Sequence, residues 1–207
     1  MDGIEFCKAV KGDIRTSHIP VILLTAKDTL EDKEQGYDSG ADSYLTKPFS
    51  AKLLQSRIQN LLSSRRHLAD LIKSSIDMQS AEKTKEPDTT TSSPVLNPLD
   101  QQFIEKLNGI INENLSSESL DISLLTERMY MSNSTLYRKV KGLIGMSPNE
   151  YIRHLRLQAA CQMLQEHKHN ISEIAYLTGF GSPNYFRDCF KAEYGMSPTE
   201  FIKKNEK

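Results

Sequence analysis

Gly179-Phe180-Gly181-Ser182-Pro183-Asn184-Tyr185-Phe186-Arg187-Asp188-Cys189-Phe190-Lys191-Ala192-Glu193-Tyr194-Gly195-Met196-Ser197-Pro198 decides how the second half of this 207-residue chain folds. Two glycines around Phe180 stop the apolar-periodic helix that runs from Ile171 to Thr178. Ser182 and Pro183 then supply an N-cap and a first-position proline for the next helix. Phe186 and Phe190, four residues apart, give that helix its buried side. Gly195 suits a left-handed stop, and Ser197-Pro198-Thr199-Glu200 reads as a capping box opening a further helix. The unit is helix, short turn, helix.

The same unit occurs earlier. Gly145-Met146-Ser147-Pro148 precedes Gly195-Met196-Ser197-Pro198 by 50 residues, and the offset also pairs Ser132 with Ser182, Lys141 with Lys191, Glu150 with Glu200 and Tyr151 with Phe201. Upstream of the turn the offset becomes 49, with Ile122-Ser123 matching Ile171-Ser172. On a helical wheel Leu136, Val140 and Leu143 form a core side, Ser134, Arg138 and Lys141 lie opposite, and Tyr137 flanks them. In the later copy Asn184, Asp188 and Lys191 lie opposite Phe186 and Phe190, with Arg187 on the flank. These outward side chains suit base edges and phosphates: arginine for guanine, asparagine for adenine, aspartate for the cytosine amino group, lysine for phosphate. One such helix resembles any solvated surface helix; two in matching units favour nucleic acid.

The first 78 residues alternate strand and helix signals. Ile19-Pro20-Val21-Ile22-Leu23-Leu24-Thr25 is a short continuous apolar run, as expected of a parallel strand covered on both faces. A polar helix is expected around 29–39, a second strand at Ser43 to Thr46, and a last helix from Ser50 to about Ile76. Leu54, Ile58, Leu61, Leu68 and Ile72 make a seam on that helix, which Arg65 interrupts, favouring packing on the sheet over a coiled coil. Between Gln79 and Pro94 the only apolar residue is Ala81, so 79–98 reads as a flexible linker between modules at 1–78 and 99–207.

Composition excludes several classes. With 38% hydrophobic and 26% charged residues and no tryptophan the chain is neither fibrous nor membrane-spanning, and its first residues show neither a basic start nor an apolar signal core, so this fragment is expected in the cytoplasm, with a membrane anchor left open for the parent protein. The net charge of -1 argues against bulk coating of nucleic acid. Charge is nevertheless local: Arg128, Arg138, Lys139, Lys141, Arg153 and Arg156 face only Glu150 between positions 128 and 156. Cys7, Cys161 and Cys189 lack metal or disulfide spacing, and His154, His167 and His169 share no helical face, so solvated or phosphate-near histidines and no metal are expected. No nucleophile, base and orienter constellation and no glycine-rich phosphate loop point to an enzyme, a cofactor or a small-molecule substrate.

The second module resembles the AraC/XylS family of transcription regulators over about 100 residues, through its repeat, Ile171-x-x-Ile174-Ala175-x-x-x-Gly179-Phe180 and Tyr185-Phe186-x-x-x-Phe190-Lys191-x-x-x-Gly195-Met196-Ser197-Pro198. The resemblance implies tandem helix-turn-helix units on a linker helix from Pro148 to His167. It assigns base reading to Ser134, Tyr137 and Arg138, then to Asn184, Arg187 and Asp188. Asp188 stands where the family often has a basic residue, and Arg187 where it more often has a small one. The first module resembles the second half of a bacterial response-regulator receiver, on Met1-Asp2-Gly3, Val21-Ile22-Leu23-Leu24-Thr25-Ala26 and Tyr44-Leu45-Thr46-Lys47-Pro48-Phe49. That implies a partial flavodoxin-like, doubly wound parallel sheet, with phosphoryl-switch roles at Thr25, Tyr44 and Lys47 and a Lys47–Pro48 bond suited to the cis form. The family's phosphoacceptor aspartate and magnesium ligands precede the segment matched here, so Mg2+ is expected only in a complete receiver. The expected whole is a sequence-specific DNA-binding transcription regulator, the output part of a two-component phosphorelay protein. Its expected partners are double-stranded promoter DNA, RNA polymerase, and the missing receiver half or a second chain. The alternative is a receiver-derived protein interaction module with a non-reading helical appendage.

Overall fold

A computed structural model of the chain describes residues 2–26, 38–78 and 96–205. In chain order it comprises α1 (Gly3–Gly12), β1 (Ile22–Thr25), β2 (Ser43–Thr46), α2 (Ala51–Met78), α3 (Pro98–Glu113), α4 (Ile122–Met129), α5 (Asn133–Ile144), α6 (Pro148–Glu166), α7 (Ile171–Leu177), α8 (Pro183–Tyr194) and α9 (Pro198–Asn205). The helix expected around 29–39 and positions 79–95 of the expected linker fall largely outside the described residues.

The two strands are parallel neighbours, Ile22 opposite Ser43 and Thr25 opposite Thr46. This is the expected α/β piece, ahead of a part that is helical throughout. The first strand starts later than its apolar run. Pro20 has no amide to give a ladder, and the Val21 amide donates to Asp42 Oδ2 at 2.8 Å instead. Burial on both faces is not what the structure shows: Leu24 is 43% exposed, since pairing with β2 occupies an edge of β1 and leaves the cover of its faces to other elements. Asp42 also accepts from Lys11 and from Arg65 at 3.1 Å, joining α1, the strand ends and α2. On α2 the expected seam is buried only at its far end, through Leu68, Ala69 and Ile72; Ile58 stays 42% exposed. The Lys47–Pro48 peptide is cis.

The described residues gather into two compact units. One holds the receiver-like elements as far as Lys73, the start of α3 up to Glu105, and Ser134–Gly145, which is nearly all of α5. The other holds Lys106–Asn133 and the chain from Met146 on.

In the second of these units the core is aromatic. Leu157, Ala160 and Leu164 of α6, Ile174 and Ala175 of α7, Phe180 of the turn, and Phe186 and Phe190 of α8 form one buried cluster. Phe186 meets Phe190 edge-on at 5.6 Å between ring centroids, and Phe190 meets Phe201 the same way at 5.5 Å. Edge contacts of this kind add to the gain from area burial. On α6 the Arg156 guanidinium donates to the carbonyls of Leu115 and Ser117, and the Tyr151 hydroxyl donates to Asn108 Oδ1 at 2.6 Å. The loop after α3 is thereby tied to the linker helix.

Local signals explain the helix boundaries. Ser147 and Glu150 make both bonds of the capping box, the Ser182 hydroxyl accepts from the Tyr185 amide, and Ser197 and Glu200 repeat the reciprocal pair. Gly145 and Gly195 have φ of +80° and +71°, as a left-handed stop requires. The 49-residue offset continues into the turns, where Tyr130 has φ +54° and its counterpart Gly179 has φ +79°. Only the second copy needs glycine for space: a Cβ at Gly179 would lie 2.4 Å from the Leu115 carbonyl oxygen and 2.8 Å from Arg156 Nε.

Candidate nucleic-acid interface

Helix α5 buries Leu136, Val140 and Leu143 and exposes Ser134, Tyr137, Arg138 and Lys141. The Arg138 guanidinium folds back onto its own helix, with Nε donating to the Ser134 carbonyl at 3.2 Å. Arg138 is exposed, and a guanidinium has further donors suited to a bidentate acceptor such as the guanine edge. Helix α8 buries Phe186 and Phe190 and exposes Asn184, Arg187, Asp188 and Lys191. Arg187 donates to Asn184 Oδ1 at 3.3 Å, which pairs a guanine-type donor with an adenine-type amide on one face. All eight side chains assigned from the wheel are thus on open helix surface, four on each helix.

In the first turn of α8 stands a side chain the wheel did not single out. Tyr185, 53% exposed, shares a cavity wall with Arg153 of α6, and the phenol beside it pushes the guanidinium up from its ordinary value. Arg153, Tyr185 and the backbone at Gly181 line one cavity of about 360 Å³ in front of the α8 N-terminus. A cation and a phenol beside a helix start are groups that hold phosphate. Their signal in the sequence was the arginine one turn after the Ser147-Pro148 cap.

Lys139 does the opposite. It is fully buried, its ammonium donates to Asp100 Oδ1 and to Ser17 Oγ at 2.8 Å, and it sits 4.9 Å from the centre of the Phe103 ring. Burial pushes its ammonium down from the ordinary value while Asp100 opposes the shift. The run of six basic residues between 128 and 156 therefore overstates the free positive surface. Lys139 is internal, and Arg156 is engaged by two carbonyls. Its spacing carried the signal: position 139 is three after Leu136 and one before Val140, inside the apolar stripe.

Within the region of these helices, residues 125–204 match the family profile described as helix-turn-helix domain, and residues 1–59 match that of the response regulator receiver domain. The helical half is an AraC-type helix-turn-helix domain, and a receiver segment precedes it. The chain is 36% identical over 201 residues to "Histidine kinase P4" of Formosa agariphila, covering 97% of this chain and 14% of that protein. The HTH-type transcriptional activator RhaS of Yersinia pestis is 36% identical over 88 residues, 42% of this chain and 32% of RhaS. Among solved structures, the C-terminal domain of the two-component response regulator yesN from Fusobacterium nucleatum is 27% identical, with a TM-score of 0.47, covering 49% of this chain and 98% of that one. The chain spans well under half the length of the curated relatives named here.

In the receiver segment Thr25 and Tyr44 line a cavity of about 180 Å³ together with Asp2 and Leu23, whereas Lys47 is exposed beyond the end of β2. Among the described residues on that cavity the one carboxylate, Asp2, is taken up in capping α1, accepting from the Glu5 amide at 2.8 Å. Among the described residues no group of three metal-binding side chains occurs, and the donors around Thr25 do not fit a magnesium ion. His154 requires a correction. It is 4% exposed and bonded to Glu193 at 2.9 Å and to Gln158 at 3.1 Å, so it is a core histidine rather than a solvated or phosphate-near one. The reason is its place on α6, one residue before Leu155 and three after Tyr151, on the side that packs. The three cysteines are free thiols, Cys7 buried and the others half-buried.

Proposed function

We propose that this chain binds duplex promoter DNA through the outward faces of α5 and α8, as the output part of a two-component regulator that controls transcription. The observation that carries the reading is the repeated division of these two helices. Each buries its apolar stripe and leaves open a face bearing arginine, lysine and a hydrogen-bonding amide or hydroxyl. Base reading falls to Ser134, Tyr137, Arg138, Asn184, Arg187 and Asp188, with Lys141 and Lys191 on phosphates. Residues 1–78 act as the receiver part, 79–98 as linker and 99–207 as the DNA-binding module. Thr25, Tyr44 and Lys47 take switch roles once a complete phosphoacceptor site is present. RNA polymerase is the further partner proposed for a promoter-bound regulator, no cofactor or small-molecule substrate enters, and the cytoplasm is the compartment of this part of the protein. No helix among the described residues is long and apolar enough to cross a membrane.

The test is anisotropy with cognate and random duplexes across a salt series. Arg138→Ala should cost about 1 to 3 kcal/mol on the cognate site and relax preference at one base, while Lys141→Ala should weaken all sequences alike and flatten the salt slope. Equal losses on cognate and random DNA for Arg138→Ala would remove it as a base reader, and salt-independent or absent binding would favour the interaction-module alternative.

A further inference from the structure

Three contacts fasten the receiver segment to α5, at Lys139, at Gly142 and at the helix end beside Gly145. Ser17, in the loop between α1 and β1, is 1% exposed and donates to Asp100 Oδ1 at 2.6 Å, while accepting from the Lys139 ammonium at 2.8 Å. His18 follows, and its ring lies over the α5 backbone: a Cβ built at Gly142 would stand 2.9 Å from His18 Cδ2. Farther along, the Ala69 methyl of α2 approaches Gly145 at the helix end, 3.7 Å from where its Cβ would be. Throughout, Ser134, Tyr137, Arg138 and Lys141 remain exposed.

We infer that the loop carrying Ser17 and His18 is the coupling contact between the receiver and the DNA-binding domain, holding the first reading helix through the Lys139–Asp100 pair. The chemistry suits a contact that can be made and released. An ammonium has three protons to donate, and in a site closed to water each unfilled one is costly. Asp100 and the Ser17 hydroxyl fill two of them, so the pair is best satisfied when the receiver loop is in place. On release, water replaces the hydroxyl, which makes the contact separable in a way a wholly apolar seam is not. Because the reading face is open in the docked state, the loop acts by fixing where α5 stands, not by covering it. The consequence for DNA rests on the function proposed above; the docking itself does not.

The experiment uses the whole 207-residue chain and amide hydrogen exchange, with duplex binding as a second readout. Ser17→Ala removes the hydroxyl, and Gly142→Ala pushes a methyl into the His18 ring; Arg15→Ala, in the same loop but with its exposed guanidinium on Asp13, serves as control. In both test variants exchange should rise about tenfold in residues 13–20 and in α5 together, with α8 unchanged and the control like the parent. Duplex affinity should fall by about the same factor. Faster exchange in 13–20 alone, with α5 as protected as in the parent, would overturn the coupling. Coupled exchange in a chain that binds no duplex would leave the coupling standing and overturn the proposed function instead. Should Ser17→Ala fail to fold, Gly142→Ala decides alone.

Discussion

Removing the carboxylate from Asp100 is the sharpest test of how the buried pair is held. Asp100 and Lys139 are both fully buried, and Asp100→Ala leaves the ammonium with only the Ser17 hydroxyl in a site walled by the Phe103 ring. Breaking a buried pair from one side costs about 3 to 5 kcal/mol, because the remaining charge is desolvated without a counter-charge. For a chain of this size that corresponds to a fall in Tm of roughly 6 to 20 °C. The pair itself is a poor stabiliser: Asp100 Oδ2 is buried with no hydrogen-bond partner, so part of the carboxylate's hydration is never replaced. The double variant Asp100→Leu with Lys139→Met deletes both charges and that orphaned oxygen, and should return to within about 1 kcal/mol of the parent or exceed it. Thermal unfolding followed by circular dichroism on the parent, the single variant and the double variant gives both numbers. A loss below about 1 kcal/mol for Asp100→Ala, or a double variant no better than the single, would refute the reasoning.

Three further outcomes are expected. Phe190→Ala opens a cavity between the Phe186, Tyr194 and Phe201 rings and should cost about 3 to 5 kcal/mol in urea unfolding, with no change in the receiver segment's exchange. Gly179→Ala should destabilise by more than about 2 kcal/mol, since it combines a left-handed φ with a 2.4 Å approach to the Leu115 carbonyl, as thermal melts can show. Acid should loosen the receiver loop: burial, helped by the nearby Lys139, Arg65 and Arg138 and opposed by Asp100, lowers the His18 imidazole from 6.5 to about 4. The neutral ring's contribution is then whole above pH 6.5 and is lost as pH falls toward 4. With solvent reaching part of the ring this is about 1 to 2 kcal/mol, and a melt series in which His18→Gln keeps the same slope over that window would disprove it.

What the sequence made legible was local. Ser147 with Glu150, Ser182 with Pro183, and the glycines at 145 and 195 each act within one turn of their own helix, so short patterns sufficed to place α6, α8 and α9. What it concealed depends on neighbours distant in sequence. Leu24 reads as core but is half open, because burial of a strand face needs a covering layer. His154 reads as polar surface but is enclosed by Glu193, 39 residues away, and by Gln158. For the residues assigned to base and phosphate contact, exposure followed from the wheel at all eight positions, since each lies opposite or beside its helix's apolar stripe; which bases they would meet does not follow from that geometry.

Lys139 also changes the balance between the two helices proposed to read DNA. On sequence counts the first unit holds the larger positive charge and should dominate affinity. With Lys139 inside and Arg156 bonded to Leu115 and Ser117, α5 presents Arg138 and Lys141, and α8 presents Arg187 and Lys191. Two cations face outward from each, so their contributions to counterion release should be nearly equal. The remaining difference is in the acids: Asp188 and Glu193 lie on α8 with no counterpart on α5, Glu193 bonded to His154 and Asp188 exposed on the outward face, where it repels phosphate yet can accept from the cytosine amino group. Any excess affinity in α5 therefore comes from repulsion at α8, and it should depend on whether a cytosine lies opposite Asp188.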